Sequence, residues 1–488
     1  MRSYQLAWKR AAERIPVKVS DESVGSQGGR GELGWAGRVI LRAVSKYSNM
    51  SAPGIEEYRG DKKSKREDLN PFAVGSPISF VPKLGPDVKP ADFDSPFFNY
   101  IYRHPQVGNV GFVRIPTFSV KDPMKNVEVF AELIEHFEKT TDALVIDMTN
   151  NGGGSVFYTY ALLSMLSNQA LATPQHRMAI TSEELKEAAE IKEAIRIIRA
   201  TRNPSETAKK TMGKSLHGYP VNADTLNKIE AYADFLLSHE VTNNADGPVL
   251  TRPFHLWAAD KINPSTQATY TKPIVLLINE KDFSAADFSA EILKQNNRAL
   301  LYGNNTGGAG GYVLQKTLTS RLGVAGFSVT GSVAAMPDEP PIEGRGVAPH
   351  IVHKATAEDF STGFTPYGRG VNMAVMAAVL AHKKNMTPQE FIDSLEEKAA
   401  KKAAQKTAEE SKTAAKGIVL AKFNEAGEIE VVSQKSAEEK ASTAEPTQSP
   451  STEEKKEPSS TPEERKEPSS PPPEGPKSEG EGKFEGYS

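Results

Sequence analysis

The sequence predicts an α/β fold: a mostly parallel sheet flanked by helices, with a helical insertion and a disordered C-terminal tail. Three observations carry this. Between about 107 and 355, short apolar runs alternate with stretches of helical periodicity, the pattern of strand–helix units around a buried parallel sheet. Within that span, about 180–265 reads as an insertion, with a charged helix over 183–200 and an amphipathic one over 223–239. From about 434 onward Ser, Glu, Lys and Pro dominate, leaving too few apolar residues to offset the entropy of ordering.

Taken in order, residues 1–8 alternate apolar and polar (Tyr4, Leu6, Trp8), the signature of a half-exposed strand. A glycine-rich turn at 25–31, a helix over 35–47 and a basic, polar run at 61–68 follow. Residues 9–105 read as a surface or linking segment with no assignable chemistry. A helix over 127–139 carries an apolar stripe of Phe130, Leu133, Ile134 and Phe137. Residues 143–148, Ala-Leu-Val-Ile-Asp-Met, form a buried strand, and an apolar helix runs over 156–166. The run 274–278 is too short for a buried helix and reads as a parallel strand. An amphipathic helix over 285–296 carries Phe288, Ile292 and Leu293 on one face. A short strand at 299–302 comes next. Segments 312–319 and 324–333 read as an antiparallel pair around a turn at 321–323. An apolar helix runs from 370 to about 382. Thr387-Pro-Gln-Glu390 opens another helix, with proline in its first turn, that continues as an Ala/Lys/Glu-rich rod to about 412. A last short strand is expected at 418–423.

The chain has 488 residues, a formal net charge of −3 and no cysteine. Disulfides, a cysteine nucleophile and zinc–thiolate sites are therefore excluded. Lysines are interspersed with glutamates, so no nucleic-acid surface is expected. No apolar run reaches 18 residues, so no transmembrane helix and no membrane partner are expected. No His/Asp/Glu cluster has metal-ligand spacing, and no cofactor or metal is expected. No apolar signal segment is visible at the start.

The most informative stretch is Pro273-Ile-Val-Leu-Leu-Ile-Asn-Glu-Lys-Asp-Phe-Ser-Ala-Ala-Asp287. It places Ser284 at a strand-to-helix turn, where backbone N–H groups and the helix dipole favour developing negative charge. That suits a serine nucleophile, although a serine before a helix is also the ordinary N-cap. Upstream, Thr149-Asn-Asn-Gly-Gly-Gly-Ser155 follows a strand. Three glycines let the backbone approach a ligand and turn N–H groups towards it. With the N–H of Ala285 such a loop makes an oxyanion hole. A tight turn is the plain alternative, and without a following Gly-Lys-Ser/Thr a nucleotide loop is disfavoured. Downstream lie Gly303-Asn-Asn-Thr-Gly-Gly-Ala-Gly-Gly311 and Pro341-Ile-Glu-Gly-Arg-Gly-Val-Ala-Pro-His350. The second carries Glu343, which by itself reads as solvated surface.

In this order these blocks resemble the tail-specific (S41) serine peptidases. Residues 110–119, 160–166 and 176–178 add to the resemblance, which runs from about 1 to 355 and is strongest over 107–178 and 273–350. It implies a ClpP/crotonase-like protease lobe, with Ser284 as nucleophile and Glu343 as the acid that orients the general base. It also implies Gly153 and Ala285 N–H groups as oxyanion donors, the triplet leaving the register of the first open. Many members use a lysine base 25 residues after the serine, in a Gly-Lys-Gly context; here that position is Ala309, in Gly-Ala-Gly. The resemblance therefore implies a Ser–His–Glu mechanism.

The His-using branch carries its histidine in a Phe-His-Ala-Gly-like motif near the N-terminus, ahead of a PDZ-like insert. No such motif occurs here, and 1–8 resembles the last strand of that insert. The expectation is a chain that begins partway through the family architecture, without the histidine-bearing lobe. Of the nine histidines, His136 reads as surface and His176 and His350 as structural. His217, His239, His255, His353 and His382 lie in polar or terminal contexts. His104, just before the strand at 110, is the one replacement base to test.

The expected organisation is then the end of a PDZ-like insert plus a linking segment (1–105), the protease core with its insertion (106–355), C-terminal helices (356–415) and a mostly disordered tail (416–488). Expected partners are protein or peptide substrates, extended along a sheet edge, an N-terminal lobe that supplies the histidine, and a second copy of the chain as a homodimer. By resemblance the protein is secreted. The rival expectation is a non-catalytic peptide-binding protein that has kept the fold and lost the base.

Overall fold

The computed structural model describes residues 31–46, 69–239, 250–317, 326–409, 419–423 and 429–433. The expected strand at 1–8, most of the turn at 25–31, the run at 61–68, the turn at 321–323 and the tail lie outside the described residues. Along the chain run α1 (Glu32–Lys46), β1 (Asp87–Asp92), β2 (Asn99–His104), β3 (Gly108–Arg114), α2 (Pro123–Thr140), β4 (Ala143–Asp147) and α3 (Val156–Leu163). Then come β5 (Leu171–Ala172), β6 (Gln175–Met178), α4 (Ser182–Arg199), α5 (Pro204–Met212), β7 (Ser215–Leu216), β8 (Tyr219–Pro220), α6 (Ala223–Leu237), β9 (Phe254–His255) and β10 (Lys261–Ile262). They are followed by β11 (Ile274–Ile278), α7 (Ala285–Gln295), β12 (Leu300–Gly303), β13 (Val313–Thr317), β14 (Gly326–Thr330), β15 (Ser332–Ala335) and β16 (Ile351–Val352). The last are α8 (Ala357–Ser361), α9 (Thr365–Lys383), α10 (Pro388–Glu409), β17 (Val419–Phe423) and β18 (Ile429–Ser433).

The main sheet has the order β1-β2-β3-β4-β11-β12-β16. β3, β4, β11, β12 and β16 are parallel; β1 and β2 add an antiparallel edge. The apolar runs are explained by burial on both faces. Leu144, Ile146, Ile274, Leu276, Ile278 and Leu301 face one core, with α1, α2, α3, α7 and the helical insertion. Ala143, Val145, Val275, Leu277, Leu300 and Tyr302 face the other, with α9 and the start of α10. Each fully buried large aliphatic contributes about 1.5–3 kcal/mol, which is why these runs are apolar but for the buried, paired Arg114 and Asp147 at the ends of β3 and β4. All the parallel strands point their C-terminal ends the same way, and the turns that carry chemistry gather there. No described helix is long and apolar enough to cross a membrane.

The expected helices and strands of the core occur with small shifts at their ends, and four features differ. The sheet begins ahead of residue 106: residues 87–104 supply β1 and β2, tied in by Tyr100 stacked on Phe112 at 4.7 Å. Pro90 and the polar residues of β1 hide its strand character, as suits an edge. The insertion has a third helix, α5, where Asn203 caps with Pro204 in the first turn, a signal legible in sequence. The strand expected over 324–333 breaks at Gly331. β14 pairs with β13, while β15 leaves to pair with β6. Finally, α9 starts at Thr365 rather than 370. Gly370 lies inside it because a Cβ there would stand 1.9 Å from the Tyr302 hydroxyl; its glycine serves close packing, not a helix stop. The strand expected at 418–423 pairs with β18.

Candidate active site

β4 and β11 are neighbours in register, Leu277 opposite Asp147, so the loops that leave them meet beyond the sheet. Asn151 joins the two. Its N–H donates to Asp282 Oδ1 at 2.9 Å, its carbonyl accepts the N–H of Phe283 at 3.0 Å, and its Nδ2 donates to the carbonyl of Ile115 at 3.0 Å. Asp282, fully buried, also accepts the N–H of Asn279 at 2.9 Å. Burial pushes its carboxyl well above the usual range, against the two N–H donors that favour the charge.

Ser284 follows this turn with φ 56° and ψ −114°, a region a side chain rarely enters and that a folded site must hold in place. It is 1% exposed, and its Oγ makes no cap and has no hydrogen-bond partner. The plain N-cap alternative is therefore not what this hydroxyl does. Its backbone N–H is held by Asp287 Oδ2 at 2.8 Å. Among the described residues, Ala285 N–H, at the positive end of α7, makes no backbone hydrogen bond.

Gly153 packs directly on this turn with φ 93°. A Cβ there would stand 2.6 Å from the carbonyl oxygen of Phe283 and 2.8 Å from Ser284 Cβ. Only glycine fits both the backbone and the space. Its N–H, however, donates to Asn151 Oδ1 at 2.9 Å, so that donor is already occupied while Ala285 N–H is open.

Glu343 is brought to the same end of the molecule. Its Oε2 accepts the N–H of Ala334 on β15 at 2.9 Å, and its Oε1 is buried with no partner. Burial raises its pKa, and the negative charge of Asp287 adds to the shift. The isolated-loop reading of Glu343 as solvated surface does not hold. Beneath the site, fully buried Arg114 donates to Asp147 Oδ2 at 2.9 Å, to the carbonyl of Thr149 at 3.1 Å and to that of Ser76 at 2.8 Å. It ties the start of the glycine loop to residues 69–76. Sequence reasoning did not single out Arg114, Asn151, Asp282 or Asp287; a charged residue inside an apolar run (Arg114, Asp147) was the available signal.

His104 is corrected. It pairs with Gly108, at the N-terminal end of the parallel strands, whereas Ser284 lies past their C-terminal ends. Six residues of strand at about 3.3 Å each put it roughly 20 Å away. Its Nδ1 accepts the N–H groups of Gln106 and Val107, each at 3.2 Å, so it acts as a local turn cap. His176 touches α7, its ring edge-on to Phe288 at 5.2 Å. Its Nδ1 is hydrogen-bonded to Ser332 Oγ at 2.9 Å, and burial pulls its pKa down to about 3. That is too weak a base for a serine at neutral pH.

The model for peptidase family S41 matches residues 109–353. A protein of Chlamydia pneumoniae is 35% identical over 358 residues, 71% of this chain and 56% of its own length. One from Chlamydia muridarum (strain MoPn / Nigg) is 35% identical over 315 residues, 62% of this chain and 51% of its own. The chain thus spans about half the length of the curated relatives it matches. Among solved structures, mature CPAF, the chlamydial protease-like activity factor, is 34% identical with a TM-score of 0.56, over 63% of this chain and 59% of that one. Mature CPAF complexed with lactacystin is 33% identical with the same TM-score, over 65% and 61%.

Proposed function

This chain belongs to peptidase family S41, and from that premise we propose that it is the catalytic lobe of a serine endopeptidase whose histidine comes from sequence outside this chain. The observation that carries the reading is the pair of buried, unpartnered oxygens, Ser284 Oγ and Glu343 Oε1. An unsatisfied buried polar atom costs about 1–3 kcal/mol, so two at one site point to a group that belongs between them. An imidazole supplies what both lack: Nε2 accepts from the serine hydroxyl and Nδ1–H donates to the glutamate.

In the reaction Ser284 Oγ attacks the peptide carbonyl carbon while the incoming histidine takes the serine proton at Nε2. Glu343 holds the histidine in the right tautomer and offsets its charge. Ala285 N–H stabilises the oxyanion; Gly153 N–H joins it when it leaves Asn151 Oδ1. Collapse breaks the C–N bond, and the histidine hands its proton to the departing amine. Water, deprotonated by the same histidine, then hydrolyses the acyl-serine. The substrate is a protein segment in extended form, and a second copy of the chain remains a candidate partner. The second reading, a non-catalytic peptide binder, is favoured by one observation: among the described residues no histidine bonds to Ser284.

A fluorophosphonate probe separates the two. The chain is treated alone, with the part of the Chlamydia pneumoniae relative outside the matched region, and with free imidazole, and the labelled residue is mapped. Slow labelling alone and faster labelling at Ser284 with either addition, abolished in Ser284→Ala, supports the peptidase. Absence of Ser284 labelling under all three conditions refutes it.

A further inference from the structure

Gly303–Gly311 has no role in the reaction as drawn above, yet it is bonded to both halves of the site through one side chain. Asp287, fully buried in the first turn of α7, accepts four hydrogen bonds. Oδ2 takes the N–H groups of Ser284 at 2.8 Å and Ala309 at 3.1 Å. Oδ1 takes Thr306 Oγ1–H at 2.5 Å and the N–H of Gly308 at 3.0 Å. The carbonyl of Gly308 in turn accepts the N–H of Gly344 at 2.7 Å, next to Glu343. Thr306 and Val347 exchange two more bonds, Thr306 N–H to the carbonyl at 3.2 Å and Val347 N–H to Oγ1 at 2.8 Å. An unbroken hydrogen-bonded path therefore runs from the Ser284 backbone through Asp287 and the glycine loop to the Glu343 loop.

We propose that Asp287 is a positioning residue for the reaction: its carboxylate sets the spacing between Ser284 Oγ and Glu343 Oε1 and holds Ser284 in its strained backbone. The inference rests on the roles given above to Ser284 and Glu343. It follows from the donor count. No cation meets this carboxylate in any described ion pair, so four dipoles carry its charge. A neutral side chain cannot accept all four, because protonation or amidation turns one acceptor oxygen into a donor facing other donors. The nucleophile's own N–H and the loop of the acid would then separate. The titratable groups that face it are Asp282 on the turn before Ser284 and Glu343 on the loop after β15; both are acids. Burial outweighs the four donors and leaves its pKa raised to about 6. It is thus ionised at neutral pH, and its negative charge adds to that of Glu343 where the arriving base becomes an imidazolium.

The test is the rate of Ser284 labelling by a fluorophosphonate between pH 5 and 8, in the full chain with the relative's remaining part added. In wild type the base and Asp287 both lose activity on protonation, so the acid limb falls more steeply than one proton allows. Asp287→Asn is expected to label about tenfold or more slowly, with a one-proton limb. Asp287→Glu recovers part of the rate. Thr306→Val, which removes one donor and leaves three, is expected to slow labelling a few-fold and move the Asp287 inflection to higher pH. Wild-type rate and profile in Asp287→Asn overturn the inference. If that variant does not fold, an unchanged profile in Thr306→Val overturns it. If wild type is not labelled at Ser284, the peptidase reading has failed and this inference falls with it.

Discussion

Arg114→Met is the perturbation that most directly tests how the site is held. Arg114 and Asp147 are both fully buried and 2.9 Å apart, and the guanidinium also satisfies the carbonyls of Ser76 and Thr149. Methionine keeps most of the stem but none of the donors. The cost is not the worth of one ion pair. It is the penalty of leaving Asp147 charged and two carbonyls short inside the protein, about 3–5 kcal/mol. Asp147 keeps the Thr149 N–H at 3.0 Å and its hydroxyl at 2.7 Å, which places the expectation at the lower end. The assay is denaturant unfolding followed by amide exchange at 149–154. The double variant Arg114→Met/Asp147→Asn removes the stranded charge while retaining the acceptor for Thr149. It should recover about 1–3 kcal/mol of the loss. A deficit below about 1 kcal/mol, or a double variant worse than the single, would refute the claim that this pair anchors the glycine loop.

Three further outcomes are expected. Gly153→Ala puts a methyl against the Phe283 carbonyl at φ 93°; it should cost at least about 2 kcal/mol and abolish Ser284 labelling, and normal labelling would show that the contact gives way. Ala309→Lys should speed labelling of the chain alone. Ala309 and Ser284 donate to the same oxygen of Asp287, so a lysine there reaches the hydroxyl; an unchanged rate counts against that geometry. His176 stays neutral in the fold, its pKa lowered to about 3 against about 6.5 when unfolded. The stability it contributes is present above pH 6.5 and is lost as pH falls towards 3. Asp287, raised to about 6, acts oppositely, its contribution being lost as pH rises from about 4 to 6. Asp282 and Glu343, whose pKa values burial also raises, act with Asp287, so the test is a difference: the stability of wild type relative to His176→Gln should rise between about pH 4 and 6.5 in a pH series of unfolding midpoints.

Local periodicity was enough for the strand–helix alternation and for the turn that carries Ser284, because parallel strands buried on both faces are apolar along most of their length and the polar turn and serine that follow β11 stand out against it. The glycine triplet could be read as a close approach for the same kind of reason. It could not say that Gly153 would meet Phe283 and Ser284, nor that Asn151 would occupy its N–H. β1 escaped because an edge strand is not obliged to be apolar, and β2, although buried between β1 and β3, because Asn99, Arg103 and His104 interrupt its apolar run. Gly370 misled because close packing against Tyr302 and helix termination select the same residue.

By itself the sequence determined the α/β class, the parallel core strands, the Ser284 turn and the family to which the chain belongs. The tertiary structure alone decided that Ser284 Oγ makes no cap, that Glu343 Oε1 is buried and unpartnered, that Asp287 links their loops, and that His104 stands at the far end of the sheet. The reason is physical. Residues such as Asn151 and Asp282, 131 positions apart, meet only because β4 and β11 are neighbours. Strand order is set by which apolar surfaces pack together, and no local run of residues encodes it.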